Sequence, residues 1–403
     1  MKLLVATDAH IFRYVDGTYW TNKIYGYDFW TRYLDVFDEV RIVARERTID
    51  QLSEKYLRVD GKNVEVYGIP FFQGPRELVK KFISINIALT HAYNGCSAAL
   101  YRMPSQTAQM TLWHKPKRMP FAGEVVFDPW NEFHDNKSEV ILRTINTIIS
   151  NQLSRFCLTA NGVSYVTEKS IQRHYPSYAR RYHGNTKEHF ETFYSTITLH
   201  EDAYSSPRDY IDKRRAGQEF KLVLSSVSME SDRKGERIVI DTVGKCRDNG
   251  YNVSATLIGD GSKRTEFEKY AESKGLKQFV KFTGLLPSSD DVRDVMSKAD
   301  MFVFPSQGEG LPRGILEAMA IGLPVLSTPV GGIPEVIDSK YLFDPLDSDA
   351  FAKEICYLMD HAGELNKMSN DNYIKSLEYK NSVLQKKRNN FYRRLRDLVD
   401  ENN

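Results

Sequence analysis

The chain has 403 residues, of which 41% are hydrophobic and 27% charged, an ordinary balance for a globular protein and enough length for two domains with a core each. Its 55 Lys and Arg offset 53 Asp and Glu to leave a net charge of +2, which excludes a global electrostatic pull toward nucleic acid, so that any basic surface is local. Cys96, Cys157, Cys246 and Cys356 stand far apart with no CxxC pair and no clustered His, which argues against a zinc site and a dense disulfide framework and reads as reduced thiols.

The apolar run at the N-terminus stops at Ala6, too short for the core of a signal peptide, and no stretch approaches the ~20 apolar residues of a membrane span. The expectation is a cytoplasmic protein that touches a membrane, if at all, from the inner face. Leu3–Ala6 reads as a first buried strand, followed by a loop from Asp8 to Asp16 and a helix from Tyr25 to Leu34. Strands follow at Val40–Ala44 and Val64–Ile69, then at Glu124–Phe127, and Ser138–Phe156 reads as a helix. Strand–helix–strand alternation predicts a parallel sheet with crossover helices. The pattern breaks from about His183 to Gln218, which reads as the connection between domains.

The second half is more regular. Strands are predicted at Lys221–Leu224, Val253–Ile258, Val280–Phe282, Met301–Phe304 and Pro324–Ser327. Helices are predicted at Gly235–Asn249, Arg264–Ser273, Val292–Lys298 and Leu311–Ala320, which together make a doubly wound α/β unit. Tyr373–Val399 reads as a helix rich in Lys and Arg, suited either to an ordinary solvated face or to an anionic bilayer. The domain reading is 1–185, a connection over 186–218, a second domain over 219–375, and the basic helix over 376–403, packing back on the first domain.

The chemistry concentrates between Asp300 and Glu335. A strand feeds a glycine-containing loop, Ser306 to Gly314, and the loop feeds a helix. Free N–H groups at such a helix start suit a diphosphate. A carboxylate is out of place beside a phosphate, so Glu309 and Glu317 need another task. Accepting hydrogen bonds from sugar hydroxyls fits them, because an ionised carboxylate offers two acceptor oxygens.

Glu309 and Glu317 are separated by seven residues and followed by Ala318-Met319-Ala320-Ile321-Gly322-Leu323-Pro324-Val325. Gly259-Asp260-Gly261, Phe282-Thr283-Gly284, the segment Ala299-Asp300 to Pro305-Ser306, and Val330-Gly331-Gly332-Ile333-Pro334-Glu335 flank this block in order. The set resembles family 4 of the retaining glycosyltransferases. The resemblance implies an α/β fold of the GT-B type, two Rossmann-like domains facing across a cleft, with the donor on the C-terminal and the acceptor on the N-terminal domain. It further implies that Glu317 binds ribose hydroxyls and that Glu309 contacts the transferred sugar and stabilises an oxocarbenium-like transition state. Backbone amides from Gly310, Leu311, Pro312 and Arg313 to Gly314 lie in the loop that holds diphosphate and sugar, and Gly284 belongs to the same donor side. Arg233-Lys234-Gly235 resembles the element whose cation neutralises the departing diphosphate, with Lys234 in that role and Arg233 as helper.

Two departures stand out. Where many members carry Gly-Arg before this element, the chain has Ser225-Ser226. The paired glycine that the resemblance implies after the first strand, where the backbone approaches the donor phosphate, is reduced to Gly17. In the N-terminal half, Arg102-Met103-Pro104-Ser105 and Glu124-Val125-Val126-Phe127-Asp128-Pro129-Trp130 resemble a capsule and exopolysaccharide subgroup, and Asp128 stands where a sugar-contacting residue is expected. His10, His134 and His174 have no evident partner in the sequence and read as structural. The aromatic segment from Phe12 to Trp30 suits either a sugar-stacking loop or partial core.

The implied activity is transfer of a sugar from a nucleoside diphosphate-sugar to a saccharide or lipid-linked acceptor, with retention, without a metal or other cofactor, and without nucleic acid, in surface-polysaccharide synthesis. A non-catalytic partner subunit and a nucleotide-sugar epimerase of the same fold are the alternatives. Product analysis without acceptor separates the epimerase.

Overall fold

The computed structural model describes residues 1–22, 25–129, 140–210 and 218–402. The chain divides into two units, Met1–Tyr194 with Gln385–Asn403, and Ser195–Leu384.

The first unit is built on β1 (Lys2–Tyr14), β2 (Tyr19–Thr21), β3 (Glu39–Ile49), β4 (Leu57–Arg58), β5 (Val64–Pro70), β6 (Ala98–Met103), β7 (Phe121–Val125), β8 (Gly162–Tyr165) and β9 (Phe190–Phe193). Seven of these run parallel in the order β5-β3-β1-β6-β7-β8-β9. Leu3, Leu4, Val5 and Ala6 are all fully buried. That is why β1 reads as an unbroken apolar run: a central parallel strand is covered on both faces.

The loop expected from Asp8 is instead more strand. The register shifts between Ala6 and His10, after which His10–Tyr14 pair again with Arg45–Ile49 of β3. The chain then turns back into β2, which is antiparallel to β1. The helix expected over Tyr25–Leu34 shortens to Tyr27–Thr31. Phe29, Trp30 and Tyr33 are buried, so this part of the aromatic segment is core.

The second unit holds β10 (Phe220–Ser228), β11 (Val253–Asp260), β12 (Val280–Gly284), β13 (Met301–Val303) and β14 (Val325–Leu326), all parallel in the order β12-β11-β10-β13-β14. Helices Glu236–Asp248, Arg264–Ser273, Ser289–Ser297 and Arg313–Ala320 make the crossovers. Ser288 caps the third of these with a reciprocal Ser288–Asp291 box.

The stretch 186–218, read from sequence as a connection, does other work. β9 extends the first sheet beside β8, and residues 195–210 are part of the second unit. There the Arg208 guanidinium donates to the carbonyls of Ala299 and Ser297, and the Tyr210 hydroxyl donates to Asp300 O at 2.7 Å. These contacts close the open C-terminal end of helix Ser289–Ser297. Residues 211–217 lie outside the described residues.

The single helix expected over Tyr373–Val399 is two. Ala362–Ser376 passes through the turn Leu377–Tyr379 and a new helix runs from Asn381 to Asn402. From Gln385 onward this last helix belongs to the first unit. Its Leu384, Arg388, Phe391, Tyr392, Leu395, Leu398 and Val399 are buried, a spacing of three and four that defines one helical face.

Candidate functional site

In the second sheet the strand order reverses between β10 and β13, and ligands of such sheets sit beyond the carboxyl ends of the strands at that point. Three loops meet there, after β10, β13 and β14. Gln307 N donates to Arg233 O at 2.8 Å, and Thr328 Oγ1 donates to Ser306 O at 2.7 Å. Gly332 N donates to Gly310 O at 2.5 Å. Gly331 has φ +55°, and a Cβ on it would lie 1.9 Å from Glu309 O, so the third loop reaches this close only as glycine.

The frame brings Lys234 and Glu309 together. Lys234 Nζ forms an ion pair with Glu309 Oε1, which also accepts from Ser306 Oγ at 2.7 Å. The Glu309 side chain is 11% exposed and that of Lys234 is 34% exposed. The carboxylate is therefore largely withdrawn from water, while the ammonium still reaches it. Arg233 is half-buried beside them.

Pro312 caps helix Arg313–Ala320 in extended conformation, so the amides at the helix start follow directly from the Glu309–Gly310 loop. Leu311 and Pro312 are buried and Arg313 is exposed. One helical turn on, Glu317 is half-buried and accepts no hydrogen bond among the described residues. Burial raises its carboxyl above the ordinary value, against partial offsets from Arg313 and Arg293. Gly284 ends β12 with φ +76°, and a Cβ there would meet the Arg264 guanidinium at 2.9 Å.

Glu236 was not singled out from sequence. It is the first residue of helix Glu236–Asp248, directly after Lys234-Gly235, and it is fully buried. Among the described residues neither carboxyl oxygen has a partner in good hydrogen-bond geometry, and burial pushes its pKa up to about 7 against partial offsets from the backbone and Ser226. Nothing in its spacing distinguishes it from the solvated acid usually found in a first helical turn.

In the first unit, Asp128 lies beyond the carboxyl end of β7 and is buried. Its Oδ2 is 2.9 Å from His174 Nδ1, and His174 ends the short helix Ser170–His174 that follows β8. The partner of His174 was invisible in the sequence because only the adjacency of β7 and β8 joins two residues 46 positions apart. His10 packs edge-on against Phe71, and Trp130 and His134 lie outside the described residues. Gly17, with φ +91°, sits in the hairpin turn between β1 and β2, and among the described residues nothing lies within 4 Å of a Cβ there.

Arg102 and Glu124 stand opposite one another on β6 and β7 and form a buried ion pair. Glu124 also accepts from the hydroxyls of Tyr392 at 2.6 Å, Tyr194 at 3.1 Å and Tyr33 at 3.2 Å. Burial works to raise this carboxyl, but Arg102 and the Tyr392 and Tyr194 hydroxyls overcome it and hold it below its ordinary value. Ser105 caps helix Gln106–Trp113 by accepting from Ala108 N at 2.9 Å, and Asp8 accepts from Gln106 N and Thr107 N. The Arg-x-Pro-Ser element thus holds the first unit together.

The last helix spends most of its cations on packing. Arg388 is buried, Lys387 Nζ lies 3.9 Å over the Phe193 ring, and Arg394 and Arg396 donate to the carbonyls of Thr186 and Val36. Lys386 and Arg393 remain exposed. Among the described residues no helix is long and apolar enough to cross a membrane, and no group of three or more His, Cys, Asp or Glu is placed to hold a metal ion.

Residues 221–361 match the family "Glycosyl transferases group 1". The whole chain is similar to Protein CapJ of Staphylococcus aureus, 24% identical over 96% of this chain and 94% of that one. It is 30% identical over 36% of its length to the amylovoran biosynthesis glycosyltransferase AmsK of Erwinia amylovora, a match spanning 38% of AmsK. Among solved structures, Anabaena Alr3699/HepE in complex with UDP-glucose covers 100% of both chains with a TM-score of 0.64 at 17% identity, which is a likeness of fold. The motif blocks of 221–345, the reversal of strand order beside them and these likenesses agree on a glycosyl transferases group 1 region over 221–361 in a chain of GT-B fold, similar to glycosyltransferases of capsule and exopolysaccharide biosynthesis.

Proposed function

We propose that the protein moves a sugar from a nucleoside diphosphate-sugar, held by the second unit, to a saccharide or lipid-linked acceptor of surface-polysaccharide synthesis, held by the first, with retention of anomeric configuration and without a metal. The observation that carries this is the placing of Lys234, Glu309 and the start of helix Arg313–Ala320 at the switch point of the second sheet. Lys234, helped by Arg233, neutralises the departing diphosphate, work that a divalent ion does in other sugar transferases. Amide N–H groups of Gly310, Leu311 and Arg313, with Pro312 shaping the turn between them, hold the diphosphate, and Gly284 borders the same end of the sheet. Glu317 accepts from the ribose hydroxyls, which fits a carboxylate whose acceptor capacity is unfilled. Glu309 faces the transferred sugar and its developing positive charge. The leaving phosphate takes the acceptor proton in a front-face substitution. Asp128, oriented by His174, accepts from a sugar hydroxyl. Membrane contact is peripheral, at the inner face.

A thermal-shift comparison with UDP, GDP, ADP, TDP and their sugar conjugates tests the reading, with Glu317→Ala beside the parent protein. One nucleotide raises the melting temperature by mass action, and the variant loses the shift. UDP is the first to try, because the similar HepE was solved with UDP-glucose. Proton NMR of the product reports the anomeric configuration, and turnover after chelation reports metal dependence. A folded protein that no nucleotide stabilises is a non-catalytic partner subunit instead.

A further inference from the structure

Helix Gly74–Leu89 crosses between β5 and β6 and buries one side, Ile85 and Leu89, against the first sheet. The opposite side is apolar too. Val79, Ile83 and Ile87, at successive four-residue steps, are 75%, 74% and 65% exposed. Beside them Phe82 is exposed and packs on the exposed Trp113, with ring centroids 6.3 Å apart. His114 Nε2 lies 2.9 Å from Asn86 Oδ1 and fixes the end of the neighbouring helix to this one. A water-facing helix normally turns charge outward here, and this one turns isoleucine outward.

Basic side chains predominate around the stripe, with Glu188 and Glu401 near Lys117 and Arg118 as the acids beyond the helix. Arg76 and Lys80 flank it on the helix, and Lys117 and Arg118 are exposed in the loop just past Trp113. Glu77 is the one acid of the helix, and it is turned back to accept from Gln73 N at 2.9 Å. An apolar stripe with an indole at its margin and a cationic rim complements an anionic bilayer surface, with side chains in the acyl boundary and cations at the headgroups. The last helix, basic in sequence, has no such stripe, and its cations are largely taken up.

We propose that Val79, Phe82, Ile83, Ile87 and Trp113, ringed by Arg76, Lys80, Lys117 and Arg118, form the surface on which the protein rests on an anionic lipid membrane. This deepens the lipid-facing part of the proposed function and is independent of its donor chemistry. It places the membrane contact on the unit proposed to take the acceptor.

Flotation of the full chain with phosphatidylcholine vesicles containing phosphatidylglycerol tests it. Binding is expected at about 0.1 M salt and is weakened strongly at about 1 M. Ile83→Asp with Ile87→Asp lowers the bound fraction by roughly tenfold, as does Arg76→Glu with Lys80→Glu. Lys386→Glu with Arg393→Glu, on the last helix, leaves it unchanged. All three variants keep the nucleotide-induced thermal shift, so loss of that shift in the parent protein speaks against the donor reading and not this one. Absence of vesicle binding, or binding indifferent to the helix Gly74–Leu89 changes, overturns the proposal. So does a change from dimer to monomer in sedimentation without an effect on flotation, which assigns the stripe to a second copy of the chain.

Discussion

The ammonium of Lys234 and the carboxylate of Glu309, 75 residues apart in sequence, are ion-paired at the switch point of the second sheet, with Ser306 completing the carboxylate's contacts. In this state each group occupies the other's binding capacity. Lys234→Met is expected to lower kcat/KM by about a hundredfold or more, and Glu309→Gln by a similar factor. Because each change also frees the other's partner, the double variant falls short of the product of the two. Steady-state kinetics on all three variants measures this. Additive losses mean that the pair does not act as a unit.

In the proposed role, Glu317 needs its charge to accept from two ribose hydroxyls. Loss of a charge-assisted hydrogen bond costs about 1.5–3 kcal/mol, so Glu317→Gln weakens nucleotide binding by roughly ten- to a hundredfold. Its carboxyl is raised by burial, so the neutral form appears at higher pH than for an ordinary Glu. Donor affinity therefore falls as pH drops through that raised value. Titration calorimetry across the acid range shows this in the parent protein and a flatter profile in Glu317→Gln.

Glu236 makes the opposite demand on pH. Its folded pKa of about 7 lies above the ordinary 4.5 because burial penalises the charged form. The folded chain then holds a proton that the unfolded chain releases, and stability is lost as pH rises from about 4.5 through about 7. The whole displacement corresponds to roughly 3 kcal/mol. Glu236→Gln keeps the shape and removes the charge, so its melting temperature at pH 8 is expected to exceed the parent's, with the gap closing near pH 4. Equal curves at both ends sink this account.

The first unit depends on Glu124. Arg102→Met strands a buried carboxylate and costs about 3–5 kcal/mol, whereas Arg102→Met combined with Glu124→Leu recovers much of the loss. Tyr392→Phe removes one hydrogen bond to the same carboxylate and costs about 1–2 kcal/mol. Urea unfolding of the three variants orders them, and a double variant weaker than Arg102→Met contradicts the assignment.

The second unit was more legible in sequence than the first for a physical reason. Its five strands alternate with helices at short, regular spacing, and the stretch 306–325 must serve a loop, a helix start and a strand at once, which leaves little freedom of residue choice. In the first unit, β6 begins as the small apolar Ala98-Ala99-Leu100 after a run of turn residues, and β8 and β9 are four residues each, too short to carry a periodic signal. Helix Gly74–Leu89 escaped notice because both its sides are apolar, so it has no clean amphipathic contrast. Asp128 stood out only through its neighbours Glu124 to Pro129, and His174 not at all, since strand adjacency is written nowhere in the spacing. Arg388 and its neighbours look like a solvated basic face until Tyr392 and Glu124 reveal which way the helix is turned.

The return of residues from Gln385 onward to the first unit has a consequence for biosynthesis. A ribosome delivers β1 to β9 well before Phe391, Tyr392 and Leu395, which seal that core. The whole of the second unit, Ser195–Leu384, is made between them. The amino-terminal half must wait, with Glu124 lacking the Tyr392 hydroxyl, until the carboxyl-terminal helix clears the exit tunnel. The unit whose translation starts first thus waits for residues made after the whole of the other.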